Sequence, residues 1–241
     1  MASRGRRIGV GVGVAVVVVA AIGGFLLWRV FGGSAPPPVS LSSLDLPSVA
    51  ASSGGSPASL DGTWTINTST TLSDGSGTFA GYRIDEQLAN VGANTAVGRT
   101  SQVSGSMTID GTKITALNVS VDMTGLESDD SRRDNQLRER GLETDRFPTA
   151  TFELTKPIDV GSTPKQGQQV RLEATGTFTL HGVTKPVTVP ITAVWSGDLV
   201  AATASFDVAL ADYGIDPPTG FFVLSIADSG TVEMRLLFTQ G

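Results

Sequence analysis

The sequence predicts an all-β body, a sandwich or an up-and-down barrel of antiparallel strands with one short helix, preceded by a single N-terminal transmembrane helix. Three features predict it. An uncharged apolar run fills Ile8 to Trp28, a Gly-, Ser- and Pro-rich stretch follows, and from Asp61 onward apolar and polar residues alternate with a period of two. The chain thus divides into a cytoplasmic stub and membrane anchor (1–31), a disordered linker (32–60) and a folded domain (61–241).

Ile8 to Trp28 holds 21 residues without a charged or strongly polar side chain. Hydrocarbon about 30 Å thick needs roughly 20 helical residues, whereas the apolar part of a secretory signal is about 7–15. Length therefore favours an uncleaved anchor. The alternative is secretion after cleavage near Ser34-Ala35, which Pro36 opposes by following at once. Arg4, Arg6 and Arg7 precede the run and only Arg29 follows it, so the protein is expected at the cell membrane with its body outside the cytoplasm. The stretch 32–60 carries one charge, Asp45, and cannot bury enough apolar area to order itself.

In the body, Trp64 shares a strand face with Ile66, Tyr82 with Ile84, and Phe152 with Leu154; Val103, Met107 and Ile109 form another set, as do Leu117, Val119, Val121 and Met123. The longest sets are Val170 to Leu180, Val187 to Trp195, Ala202 to Leu210 and Val232 to Phe238, each read at every second residue. That makes about nine strands. Asp110-Gly111 predicts a hairpin over 97–123, and His181-Gly182 and Ser196-Gly197-Asp198 punctuate the later strands. Short turns between single-faced strands make the sheet antiparallel, and closing it removes its edges.

The inward set mixes Phe178, Trp195, Phe206 and Phe238 with Ala174, Gly176, Ala193, Ala202 and Ala204. Small inward residues leave space for a ligand, or else fit the taper of a filled barrel. One interval breaks the rhythm: Glu127 to Phe147 contains five basic and seven acidic residues. Asp129, Asp130 and Ser131 are helix-capping types and Gly141 is a stop, so a short helix is expected near Arg132 to Arg140. It reads either as a solvated helix with ion pairs such as Asp134 to Arg138, or as a mouth helix whose Arg133 and Arg138 meet an anionic head group.

Composition excludes several functions. There is no cysteine and a single histidine, His181, so thiolate zinc sites, cysteine nucleophiles and multi-histidine metal centres are ruled out. Residues 61–241 hold 13 basic against 22 acidic side chains, a balance that repels nucleic-acid phosphates. No nucleophile elbow or phosphate-binding loop is present, and His181 sits at a strand-to-turn junction suited to a structural role. No enzyme activity, catalytic residue, metal or cofactor is expected.

Three segments then carry a resemblance: SRRDNQLRERGLETDRFPTATFEL at 131–154, GTFTLHGVTKPVTVPITAVW at 176–195 and DYGI at 212–215. In order and spacing they resemble the YceI-like family, over about residues 61–240. The resemblance implies a closed, eight-stranded antiparallel barrel like a lipocalin, with an apolar tunnel for a polyisoprenoid or similar lipid. Its fold-defining elements fall on Phe147, Pro148 and Phe152, on His181 to Pro186, and on Asp212 to Ile215. Where many relatives carry histidine, this chain has Asn135 or Gln136 and Glu86. Together these readings give a membrane-tethered protein holding a polyisoprenoid or isoprenoid quinone. Tyr82, Ile84, Phe152, Phe178, Ala193, Trp195, Ala204 and Phe206 are the candidate lumen wall, and Arg133 and Arg138 the head-group candidates. The competing expectation is a filled-barrel interaction module of the cell envelope with no small-molecule ligand.

Overall fold

A computed structural model describes residues 35–41, 59–72, 75–89 and 91–240. Its strands are β1 (Gly62–Ile66), β2 (Phe79–Leu88), β3 (Gly92–Thr100), β4 (Val103–Asp110), β5 (Lys113–Asp122) and β6 (Thr149–Leu154). They continue with β7 (Ile158–Asp159), β8 (Gln169–Leu180), β9 (Val183–Ser196), β10 (Leu199–Ala209), β11 (Val223–Ile226) and β12 (Ser229–Gln240). The helix α1 (Ser131–Gln136) runs on into one wider π turn at Leu137–Gly141.

Every pairing is antiparallel, and the ring β1-β4-β5-β6-β8-β9-β10-β12 closes when β12 returns to β1. The closing strand is only five residues long. It must satisfy two neighbours, so Trp64 stands opposite Met107 of β4 and Gln240 of β12. The Trp64 side chain is fully buried and its Nε1–H donates to the Leu60 carbonyl at 2.8 Å. Beyond β1, the wall is continued by the β2–β3 hairpin, which pairs with the first half of β12 through Thr231↔Arg83 to Arg235↔Phe79. Its free side is tied across by two backbone hydrogen bonds between Arg99 and Glu127, at 2.9 and 3.0 Å.

The parity sets point inward as expected. Ala174, Phe178, Leu180, Val189, Trp195, Met234 and Phe238 all belong to the buried interior. The Asp110-Gly111 hairpin forms between β4 and β5, starting at Val103, and Gly111 takes the positive φ (59°) that the turn requires. A register shift between Thr108 and Ile109 explains why Ile114 and Leu117 both face inward although their spacing is odd. Three strands lie outside the expected nine. β7 and β11 are short, and β3 (GANTAVGRT) has too little apolar bulk to show alternation.

The predicted transmembrane helix requires correction. Among the described residues no helix is long and apolar enough to cross a membrane. α1 has six residues, a length of about 9 Å at 1.5 Å per residue, and its sequence SRRDNQ is polar throughout. Ile8 to Trp28 lies outside the described residues. Among the described residues the fold is an all-β barrel with one short helix and no membrane-spanning helix.

Residues 35–41 of the expected linker run extended along the outside of the barrel. Leu41 packs there with Leu72, Val194, Leu199, Ala201 and Leu237, a second apolar cluster on the opposite side of the wall from the lumen. Beside it Glu233 is almost fully buried. Its carboxylate accepts from Arg99 at 2.6 and 3.0 Å, lies 3.6 Å from Arg83 and accepts from Val39 N–H at 3.4 Å. The same arginines reach the strap, Arg83 donating to the Pro36 carbonyl at 2.5 Å and Arg99 to that of Pro37 at 3.4 Å.

The three motif segments converge at one end of the barrel. His181 and Gly182 both take positive φ (52° and 74°), making the tight turn from β8 to β9. The His181 Nδ1–H donates to the Tyr213 carbonyl at 3.0 Å, while Nε2 lies 2.9 Å from Glu143 Oε2. Phe147 packs edge-on against the imidazole, and a Cβ at Gly182 would come within 2.7 Å of the Phe147 ring. Glycine is therefore required there for space as well as for backbone conformation.

Two stability outcomes follow from these contacts. Leu41→Ala is expected to cost about 2 kcal/mol, seen as a lower urea midpoint. His181→Ala should cost about 2 kcal/mol through the lost hydrogen bond to Tyr213 and the lost packing against Phe147, read in the same way, with the β signature in circular dichroism retained.

Candidate ligand-binding lumen

Inside the ring, small residues on the inward parity keep the centre from filling. Two apolar chambers lie end to end in opposite halves of the same long strands. The first encloses about 100 Å³, and Phe152, Ala193, Trp195, Ala204 and Phe206 line it. Its far end is covered by the loop after β7, through Val160, Ser162 and Pro164. The second encloses about 140 Å³ and is lined by Tyr82, Ile84 and Phe178, with α1 and the loop before β11 across its end. Each volume is several times the roughly 10–15 Å³ that one water needs. Met234 lines both chambers and marks where they meet.

Glycines shape the walls at two close approaches. A Cβ at Gly176 would lie 2.6 Å from the Phe152 ring, and one at Gly98 would lie 2.4 Å from the Tyr82 ring. Each glycine leaves a cradle in which a large ring lies flat against the neighbouring strand instead of filling the lumen. Phe178 meets Phe206 edge-to-face at 5.3 Å and Tyr213 at 5.7 Å, which fixes its ring beside the junction of the chambers.

Charged side chains line the second chamber and not the first. Glu86 extends the inward parity of Tyr82 and Ile84, so β2 aims a carboxylate into the lumen. It is nearly fully buried, accepts from Arg133 at 2.7 Å and from Asn94 Nδ2 at 2.8 Å. Arg133 also pairs with Asp129, which together with Glu86 holds its guanidinium charge against the burial that would lower its pKa. α1 is set for this by its start: Asp130 caps Arg132 N–H at 2.9 Å, and Ser128 donates to Asp134 at 2.6 Å. Gln136 sits at the exposed rim of the same chamber.

The Tyr82 hydroxyl is buried and has no hydrogen-bond partner. Burial pushes its pKa well above the ordinary phenol value, and the carboxylates of Asp134, Glu86 and Asp129 add to this while Arg133 opposes it. The group stays neutral and can both donate and accept.

Of the sequence candidates, Phe152, Ala193, Trp195, Ala204 and Phe206 line the first chamber, and Tyr82, Ile84, Phe178 and Arg133 the second. Arg138 lines neither. Five residues at about 100° each place it roughly 140° around the helix from Arg133, and Asp134, its expected partner, is engaged by Ser128 instead. Glu86 and Asn94 were not among the candidates. For Glu86 the signal was its parity with Tyr82 and Ile84; Asn94 lies in the strand that shows no alternation.

Comparison with known proteins places this geometry. A UPF0312 protein of Vibrio parahaemolyticus is 31% identical over 141 residues, 55% of this chain and 71% of its own. One from Shewanella sp. (strain ANA-3) is 34% identical over 143 residues, 56% of this chain and 71% of its own. Among solved structures, a polyisoprenoid-binding domain from Saccharophagus degradans superposes with a TM-score of 0.54 at 14% identity, covering 74% of this chain and 98% of that one. Burkholderia cenocepacia BcnA gives 0.53 at 17% identity over 71% of this chain and 98% of its own, a likeness of fold. The profile of the YceI-like domain matches residues 64–238, from the closing tryptophan to the last inward phenylalanine, and the chain belongs to that family.

Proposed function

We propose that this barrel binds a long, slim isoprenoid lipid with a neutral, hydrogen-bonding head group, its tail threaded past Met234 and its head beside Tyr82. The observation that supports this most is the arrangement of the lumen: two apolar chambers in line, with the charged side chains and the unpartnered Tyr82 hydroxyl at one end only. The polyisoprenoid-binding description of the Saccharophagus domain agrees in kind. Each isoprene unit removes roughly 100 Å² from water, so a buried unit contributes on the order of 2 kcal/mol before ordering costs. Chain length then dominates affinity, and the head sets orientation.

Electrostatics favours a neutral head over a phosphate. Arg133 is the cation at the second chamber, and Glu86 and Asp129 already neutralise it. A phosphorylated head would displace one of these carboxylates or sit beside uncompensated negative charge, at a cost of several kcal/mol in a dry site. A quinone or similar carbonyl needs only a donor. The Tyr82 hydroxyl supplies one at no cost to any existing hydrogen bond.

Lumen occupancy is tested by bulk. Ala193→Trp and Ala204→Trp are expected to abolish lipid retention, read by mass spectrometry of extracted protein, while circular dichroism keeps its β signature, since overpacking costs about 1–3 kcal/mol. Retention in both variants would favour the interaction module with no small-molecule ligand. The head group is tested by Tyr82→Phe, which should weaken a prenyl quinone about fivefold, one hydrogen bond at about 1 kcal/mol, and leave a prenyl hydrocarbon unaffected. A polyprenyl phosphate bound more tightly than the quinone would reject the neutral-head reading.

A further inference from the structure

The loop from Asp216 into β11 carries the exposed large hydrophobic side chains of the described residues: Phe221 is 84% exposed, Leu224 63% and Phe222 56%. They belong to the segment that also lines the second chamber, through Pro217, Pro218, Val223 and Ile226. One short segment therefore sends Val223 and Ile226 to the lumen and Phe221, Phe222 and Leu224 to the solvent. From Pro217 to Ala227 there is no charge, and the neighbouring tip of the β2–β3 hairpin, 87–93, has none either.

We infer that this apolar rim is where the barrel touches a lipid surface, so that a ligand passes between membrane and lumen without crossing water. The inference builds on the lipid-binding reading above. The tip is held rather than loose: Phe222 accepts from Ala89 N–H at 2.8 Å, Gly220 N–H donates to Val223 at 2.9 Å, and the two phenyl rings meet edge-to-face at 5.2 Å. A held pair of rings loses little further freedom on insertion.

Area argues against a protein partner. Fully covered, the three side chains would remove on the order of 400 Å², half of the roughly 800 Å² per partner that a stable interface takes. The same side chains suit the boundary between lipid head groups and acyl chains, where apolar groups insert about 5–10 Å. Position agrees with this, since an inserted Phe221–Phe222 tip would carry the rim of the second chamber, Pro217, Pro218 and Val223, to the membrane surface.

The absence of cysteine makes the test specific to the loop. In the full chain, Phe221→Cys and, as a control at the opposite end of the barrel, Asp198→Cys are each labelled with an environment-sensitive fluorophore. Vesicles of phosphatidylcholine and phosphatidylglycerol are then added. The expected result is a shift to shorter emission wavelength, and quenching by lipid-borne quenchers, at 221 but not at 198. No change at 221, or equal changes at both positions, overturns the inference. A shift at 221 that appears without vesicles as protein concentration rises also overturns it and assigns the tip to a second copy. Replacing Phe221, Phe222 and Leu224 together with Ser should slow transfer of a fluorescent prenyl quinone from vesicles more than about tenfold, with binding of the same probe in detergent unchanged. Unchanged transfer counts against the inference. Because the loop label needs no ligand, and binding in detergent needs no membrane, failure of the surface and failure of the lumen reading are separable.

Discussion

Closure is the constraint from which the rest of this structure follows. A ring of eight strands leaves no edge only if its last strand finds its first, and here five residues of β1 must satisfy both β4 and β12. Trp64 makes that short strand sufficient by burying a whole indole at the seam. Once the ring is closed, inward side chains share a cylinder of fixed width, and their size alone decides whether it is filled. Alanines and glycines on the inward parity leave the space that becomes two chambers. Gly176 and Gly98 then lay rings flat against the wall that would otherwise project into it.

Strand parity was legible because the strands are amphipathic on a single face, and so were the turns at Gly111, Gly182 and Gly197, whose positive φ the dipeptides announced. Five lumen candidates fell on the wall of one chamber by parity alone. What parity could not show was which residues at the α1 end face inward for polar reasons. Glu86 continues the face of Tyr82 and Ile84, but a carboxylate on an apolar face acquires meaning only when Arg133 arrives from a helix 47 positions away. β3 was invisible because Ala96, Val97 and Gly98 are buried together on both sides of the wall, which erases alternation. The strap at 35–41 was hidden by composition, since proline and serine read as linker until the cradle of Glu233, Arg83 and Arg99 is seen.

The family motifs serve the fold more than the ligand. His181, Phe147 and Tyr213 lock three distant segments together beneath the helix, and none of the three lines a chamber. The chambers are instead lined by residues with weak sequence signatures: an orphan phenol, a neutralised arginine, and a flexible methionine where the two chambers meet.

The pairing of Glu86 with Arg133 also bears on time. Any movement that swings α1 away from the barrel takes the guanidinium with it and leaves the buried Glu86 carboxylate with Asn94 as its remaining partner and no counter-charge, at a cost of several kcal/mol. That cost is absent while the helix is in place, whether the lumen is full or empty. It therefore falls on the movement of α1 itself, so the ion pair sets how readily the helix lifts from the barrel and not where it rests.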